Sequence, residues 1–255
     1  MKLIGILLFT ICLNLLAEEP MLNKIFLEMG ITGTLIVSSL DGKTEYIHDD
    51  TRVNKRLLPA STFKIPNTLI ALEENIIKND SQIITWDGIK RDIQDWNRDQ
   101  TLMSAFKYSC VWFYQKIAEQ IGIKKYDQYI KMFNYGNQKI GTNVTRFWLE
   151  GEFSISAKEQ IGFLRTLLNG NLKIKKENLQ ILKKIMIVNQ TEDYIIRAKT
   201  GWASSVTPQH GWYVGYVEKK NSVWLFAANI DIKSDQDLPL RKEIVMEALK
   251  VKGII

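Results

Sequence analysis

Apolar residues recur along this chain at two periods, and the change of period divides it into three stretches. From Leu22 to Met29 they fall at helical spacing, and Gly30 stops the run. Thr32 to Ser38 is β-branched and apolar, Asp41-Gly42 supplies a hairpin turn, and Thr44 to Ile47 returns as a second strand. A helix is predicted to begin near Ser61 and to run to about Asn75, with Pro66 fitting its first turn. From about Ile76 to Met186 helices and loops dominate, with little strand pattern. Within that stretch Met103 to Gly122 reads as one helix. Ser156-Ala157-Lys158-Glu159 is a capping box ahead of Ile161, Leu164, Leu167 and Leu168. Glu177 to Ile187 carries Leu179, Leu182, Ile185 and Met186 at helical spacing. Strand pattern then returns. Tyr194 to Thr200 leads into Gly201, and Gly211 to Val217 and Val223 to Ile230 form a hairpin turning at Lys220-Asn221. Leu240 to Lys250 closes the chain as a helix.

This layout predicts an α/β (α+β) fold. An antiparallel sheet is built from both ends of the chain and flanked by helices, and an all-helical lobe over roughly residues 76–186 is inserted between its parts. No repeat, low-complexity tract or linker interrupts residues 18–255, which are expected to form one domain.

Composition narrows the class. The chain has 255 residues, 45% of them hydrophobic and 24% charged, which suits a globular protein with a substantial core. Its formal charge is +6, but the cations are interspersed with acids. No zinc-finger spacing, RNP-type motif or basic tail accompanies them, so nucleic acid is not an expected partner. Residues 1–17 read as a signal peptide: Lys2 is the charged start, Leu3 to Leu16 is an apolar run, and Ala17 precedes Glu18-Glu19-Pro20. The run is short for a membrane span. The expected destination is the periplasm or the exterior, with no stable span after cleavage. Ile11 before Cys12 is bulky where a lipoprotein signal needs a small residue. After cleavage Cys110 is alone, so no internal disulfide forms and stability must come from the core.

Candidate chemistry starts at Ser61-Thr62-Phe63-Lys64. On a helix this spacing puts a hydroxyl and an amine on one face, one turn apart. Serine needs an adjacent base, and lysine serves as one only without its charge. Alone the tetrapeptide means little, because Ser104-Ala105-Phe106-Lys107 repeats it. On the tetrapeptide alone, a helix N-cap at Ser61 and a solvated Lys64 are the more ordinary reading. Three further motifs follow: Ser109-Cys110-Val111, Lys199-Thr200-Gly201 at a predicted strand end, and Leu238-Pro239-Leu240-Arg241 at the last helix. The second and third offer cations and a hydroxyl to a carboxylate, and Gly201 permits close backbone approach.

Rival chemistries fit less well. His48 and His210 are the only histidines, with no G-x-S-x-G elbow for a triad and too few for a zinc cluster. Cys110 reads as a small buried residue rather than a thiol nucleophile. Asp87, Asp92, Asp95 and Asp99 read as a solvated face rather than paired glycosidase carboxylates.

The order of these motifs resembles that of the serine β-lactamases and penicillin-binding proteins. Ser61-Thr62-Phe63-Lys64, Ser109-Cys110-Val111, Tyr135-Gly136-Asn137, Phe147-Trp148-Leu149-Glu150-Gly151 and Lys199-Thr200-Gly201 together resemble the class D β-lactamases, the oxacillinases. Pro59-Ala60, Trp86-Asp87-Gly88 and Leu238-Pro239-Leu240-Arg241 extend the likeness, which covers about residues 20 to 255. The resemblance implies a transpeptidase-like fold and hydrolysis of the β-lactam amide of penicillin-type antibiotics. It implies Ser61 as acylated nucleophile and Lys64, carbamylated by CO2 or bicarbonate (N6-carboxylysine), as general base. Ser109 would relay a proton, and Trp148 would hold the carbamate. Lys199, Thr200 and Arg241 would bind the substrate carboxylate. The backbone N–H groups of Ser61 and Trp202, beside Gly201, would form the oxyanion hole, and Val111 and Leu149 would border the modified lysine. No metal is implied. The substrates would be small β-lactams, and a monomer or homodimer is expected. A related non-enzymatic reading also stands: a β-lactam sensor or penicillin-binding domain that is acylated but not turned over.

Overall fold

The computed structural model describes residues 19–255, so the signal peptide read at residues 1–17 lies outside the described residues. In chain order the elements begin with α1 (Pro20–Glu28), β1 (Gly33–Ser39) and β2 (Glu45–His48). Short 3-10 turns follow at Arg52–Asn54 and Ala60–Phe63, the second running into α2 (Lys64–Glu73). Next come β3 (Ile83–Ile84), a 3-10 turn at Gln94–Trp96 and β4 (Gln100–Thr101). The helices α3 (Leu102–Lys107), α4 (Val111–Ile121), α5 (Ile123–Met132), α6 (Ala157–Leu168) and α7 (Lys176–Ile185) form the inserted lobe. The chain ends with β5 (Ile187–Gln190), β6 (Tyr194–Ala203), β7 (His210–Lys219), β8 (Ser222–Asp231), a 3-10 turn at Asp235–Asp237 and α8 (Leu240–Val251).

The main sheet has the order β2-β1-β8-β7-β6-β5, antiparallel throughout. Both ends of the chain therefore share it, as the patterning predicts. Its central strands are apolar on both faces. Leu35 and Val37 of β1 join one core with α1 and α8, while Ile36 joins the other with the helical lobe. On β7, Tyr213 and Val217 face the first core, and Trp212, Val214 and Tyr216 the second. Alternate residues of a strand point to opposite faces, so a strand buried on both sides shows an almost continuous apolar run.

The structure departs from the patterning in three places. The helix predicted over Met103 to Gly122 is two helices. The Cys110 N–H bonds back to the Ala105 carbonyl at 2.9 Å and the Ser109 N–H to that of Phe106 at 3.3 Å, a Schellman-type stop. Ser109 occupies the left-handed position with φ of 56°. Glycine usually marks such a stop, and here a serine takes it. Second, the helix predicted through Ile187 ends at Ile185, and Ile187–Gln190 is an edge strand paired with β6. All four of its residues are exposed, so no alternation of burial marks it. Third, the lobe carries a two-stranded ribbon, β3 with β4, too short to leave a period. The predicted helix at Ser61 is a 3-10 turn from Ala60 to Phe63 that becomes α-helix at Lys64. The Ser156 capping box closes as expected, the Glu159 N–H donating to Ser156 Oγ at 3.2 Å.

Candidate active site

Ser61 stands at the junction of the two halves of the fold. The turn that carries it is held from several sides. Thr62 donates its hydroxyl to the Pro59 carbonyl at 2.7 Å, Gln160 of α6 donates to Thr62 Oγ1 at 2.9 Å, and Tyr135 donates to Gln160 at 3.2 Å. Ala60, just before Ser61, has φ of 48°. A non-glycine residue there costs on the order of 1–3 kcal/mol, and such strain persists only where surrounding bonds impose it. The strand β6 passes against this turn at Gly201. A Cβ on Gly201 would lie 3.0 Å from the Pro59 carbonyl and 3.2 Å from the side chains of Thr62 and Trp212. That close approach is the reason for glycine in Lys199-Thr200-Gly201.

Lys64 lies one turn after Ser61 and donates to Ser61 Oγ at 2.9 Å. It is fully buried. Burial pushes its amine down from an ordinary 10.5 to about 7, because no carboxylate offsets the lost hydration. Its amine sits 5.1 Å from the centroid of the Tyr114 ring. Trp148 is also fully buried, packed on Phe63 with ring centroids 5.8 Å apart, and its indole N–H has no partner. A buried donor without an acceptor is costly in a folded protein and marks a place where an acceptor belongs.

Lys199 brings Ser109 to the same centre. Its amine donates to Ser109 Oγ at 2.5 Å and to Thr200 Oγ1 at 3.3 Å. Burial holds its pKa well below the ordinary lysine range, with the cations of Lys64, Arg241 and Lys242 adding to the effect. The left-handed turn at Ser109 is what aims this hydroxyl from the gap between α3 and α4. Arg241, in the first turn of α8, donates to the Gly201 carbonyl at 2.6 Å and leaves its Nε without a partner. Burial lowers it to about 10. The site thus joins two serine hydroxyls, two buried amines, a guanidinium whose Nε is unpartnered and an unpartnered indole N–H, an arrangement suited to an anionic substrate and an acyl transfer.

The chain also matches known proteins. The penicillin binding protein transpeptidase domain family matches residues 36–250. Beta-lactamase OXA-48 of Klebsiella pneumoniae is 42% identical over 238 residues, 93% of this chain and 90% of that one. Beta-lactamase OXA-10 of Pseudomonas aeruginosa is 39% identical over 243 residues, 94% and 91% of the two chains. The chain belongs to the class D β-lactamases. Solved structures of that class superpose on it closely. FUS-1 (OXA-85) of Fusobacterium nucleatum subsp. polymorphum has a TM-score of 0.90 at 38% identity, covering 93% of this chain and 99% of its own. The class D enzyme YbXI from Nostoc has 0.89 at 44%, covering 91% and 98%.

The remaining expected residues of this class D β-lactamase lie on β6, on α4 and in the segment between α5 and α6. Trp202, on β6, is 38% exposed, its indole donating to Gln209 at 3.0 Å. Val111 opens α4 and is half-buried. Leu149 packs on the lobe core, and its carbonyl accepts from Ser205 at 2.7 Å. Tyr135-Gly136-Asn137 is a brace. Asn137 donates to the Glu152 carbonyl at 2.6 Å, and a Cβ at Gly136 would meet the Ser154 carbonyl at 2.2 Å. Cys110 is buried, and burial pushes its thiol up to about 11, so it stays protonated at neutral pH. Asp87 pairs with Arg91 at 2.6 Å and Asp95 with Arg98 at 2.8 Å, and Asp99 accepts from the Trp86 N–H at 2.9 Å. Among the described residues no three His, Cys, Asp or Glu side chains gather as a metal site, and no helix is long and apolar enough to cross a membrane.

Sequence reasoning missed Tyr114 and Gln160. Tyr114 sits three residues after Val111 on α4, the residue spacing that returns to one helix face, so it was findable once Val111 was placed. Gln160 lies on α6, far along the chain from the turn it braces, and only the fold brings them together.

Proposed function

We propose that this chain hydrolyses the β-lactam amide of penicillin-type antibiotics through an acyl-enzyme on Ser61, and so confers resistance to them. The observation that carries the reading is the fully buried Lys64 amine, 2.9 Å from Ser61 Oγ, in a pocket whose Trp148 indole N–H has no acceptor. An amine brought down to about 7 is largely neutral at physiological pH and can add CO2. The pocket fits such a group: the indole offers a donor and no acceptor, which suits an anionic oxygen in apolar surroundings. When CO2 is bound as a carbamate, it supplies a base at the Lys64 position that can accept the Ser61 proton and later that of water.

The chain's other residues then have defined tasks. Ser61 attacks the lactam carbonyl. The backbone N–H groups of Ser61 and Trp202 stabilise the negative charge that develops on its oxygen, an effect worth several kcal/mol for fixed donors. Ser109 passes a proton to the leaving nitrogen. Lys199, short-bonded to Ser109, favours the hydroxyl's role as relay and, with Thr200 and Arg241, holds the substrate carboxylate. Val111 and Leu149 keep water sparse around Lys64. Residues 1–17 are removed on export, and residues 18–255 work in the periplasm as one catalytic domain.

The experiment is a turnover count. Purified protein with bicarbonate and excess benzylpenicillin should hydrolyse many equivalents per molecule. A single stoichiometric burst with a lasting adduct would favour the receptor reading instead. N-terminal sequencing of the exported protein should begin at Glu18, and a retained Met1 would refute the cleavage.

A further inference from the structure

The strained step at Ala60 needs support, and two residues of β7 outside the reaction supply it through the Leu58 carbonyl. The Leu58 carbonyl, three residues before Ser61, accepts two hydrogen bonds from β7. Trp212 Nε1 donates at 2.8 Å, and His210 Nε2 lies at 3.0 Å. A carbonyl oxygen only accepts, so His210 carries its proton on Nε2. His210 is 3% exposed. It is fixed in place by strand pairing, opposite Ala203 on β6 and Asp231 on β8. Arg52 locks that end of the sheet, bonding Asn229 and Asp231 at 2.7 Å each, while Asn229 reaches the Gly211 carbonyl at 3.3 Å.

The Leu58 carbonyl therefore cannot rotate without breaking two buried bonds. Leu58, Ala60 and Ala203 also form a small apolar cluster of their own. The peptide frame from Leu58 to Ser61 is held on one flank by His210 and Trp212, and on the other by the Tyr135–Gln160–Thr62 chain. Behind it is a cleft of about 320 Å³ lined by His210, Leu58, Arg52, Asp231 and Val206 among others. Without the imidazole, water from this cleft would reach the Leu58 carbonyl, and the left-handed conformation at Ala60 would be free to relax.

We propose that His210 is a positioning residue for the nucleophile: with Trp212 it fixes the Leu58 carbonyl and so holds the strained Ala60–Ser61 step, which sets the direction of the Ser61 hydroxyl and N–H. The proposal rests on Ser61 being the acylated residue. It does not involve contact between His210 and substrate.

Three variants test it: His210→Gln keeps an N–H donor near the Nε2 position, His210→Phe keeps bulk without a donor, and His210→Ala removes both. Acylation by a chromogenic cephalosporin is followed in a stopped-flow instrument, giving the limiting rate and the half-saturating concentration separately. Folding is checked by thermal melting. His210→Phe and His210→Ala should lose about tenfold in limiting rate, the worth of one buried hydrogen bond, with half-saturation nearly unchanged. His210→Gln should recover most of the rate. If His210→Ala does not fold, the Gln and Phe pair still decides. Equal rates for Gln and Phe, or an effect confined to half-saturation or melting, would overturn the proposal. Mapping the penicillin adduct in the unmodified protein separates the two readings. An adduct on Ser61 with equal Gln and Phe rates overturns only the role of His210, whereas an adduct elsewhere removes the nucleophile assignment itself.

Discussion

The chain contains the same tetrapeptide pattern twice, and the two copies have opposite fates. At Ser61-Thr62-Phe63-Lys64 the lysine is fully buried and bonds the serine at 2.9 Å. At Ser104-Ala105-Phe106-Lys107 the lysine is exposed and lies 5.3 Å from the Tyr108 ring centroid. There the serine completes a capping box with Thr101, accepting from its N–H at 2.9 Å, and donates to Gln100 at 2.7 Å. Spacing is identical in the two copies. The difference lies in what surrounds the amine. Around Lys64 apolar and aromatic side chains remove water and push the pKa down, whereas Lys107 lies open to solvent. A reactive serine–lysine pair is thus a property of the pocket, and the motif only places the two groups within reach.

The largest effect that would break this comparison is loss of the first pair. Ser61→Ala should leave no covalent penicillin adduct by mass spectrometry, and turnover should fall by at least about 10⁴-fold, as expected when a nucleophile is removed. Lys64→Ala should nearly abolish turnover even with bicarbonate added. A persistent adduct on another residue in Ser61→Ala would refute the assignment.

Next in size is the unpartnered indole. Trp148→Phe keeps an aromatic ring against Phe63 and removes only the N–H, so packing loss is kept small. Deacylation should slow by about 10- to 100-fold, the range for a hydrogen bond to a charged acceptor, and acylation should slow less. The acyl-enzyme would then accumulate and be visible by mass. Equal slowing of both steps would mean that the indole does not hold the base.

Acid should act through Lys64. Its pKa in the folded protein is about 7, against an ordinary 10.5. Above 7 the amine is mostly neutral; below 7 it gains a proton and cannot add CO2. At pH 6 about a tenth of the amine is neutral and at pH 5 about a hundredth, so activity should fall across that window and bicarbonate should restore part of it. The unfolded chain keeps this proton up to about 10.5, so between 7 and 10.5 it binds more protons than the folded chain and the Lys64 contribution to stability rises with pH. Degassed protein that hydrolyses penicillin at full rate at pH 5, with no response to bicarbonate, would show Lys64 working as a bare amine.

How much of this was legible in the sequence differs by kind of feature. Elements whose burial follows a period were readable: α1, β1, α6, the β7–β8 hairpin and α8 all fall within a few residues of the pattern. Edge strand β5 was not, because all four of its residues are exposed and carry no alternation. The break at Ser109 was not, because a serine occupies the left-handed position that glycine normally announces. That same strained residue presents its hydroxyl to the Lys199 amine, and candidate sites are where local rules are expected to fail. The candidate site residues could be proposed as a set because their order along the chain matches that of a family. Gln160 and the clamp on the Leu58 carbonyl were not, since each depends on contacts about 100 or 150 residues apart in sequence.

The smallest expected effect sharpens the comparison most cleanly. Ser104→Ala removes the decoy hydroxyl from a cap rather than from a catalytic pair. The Thr101 N–H loses its acceptor, and Gln100, fully buried, loses a donor. Loss of such a cap costs about 1 kcal/mol, so the denaturation midpoint should drop measurably. Turnover should stay within about twofold, because the α3–α4 break that aims Ser109 is held by backbone bonds from Ser109 and Cys110 to the end of α3. Lys107→Ala should change neither quantity by much, since an exposed lysine over a ring contributes at most about 1 kcal/mol. Stability without activity at the second copy, against activity at the first, is the pattern expected if the pocket and not the spacing makes the chemistry. A tenfold loss of turnover in Ser104→Ala with an unchanged midpoint would mean that the second serine also takes part in the reaction.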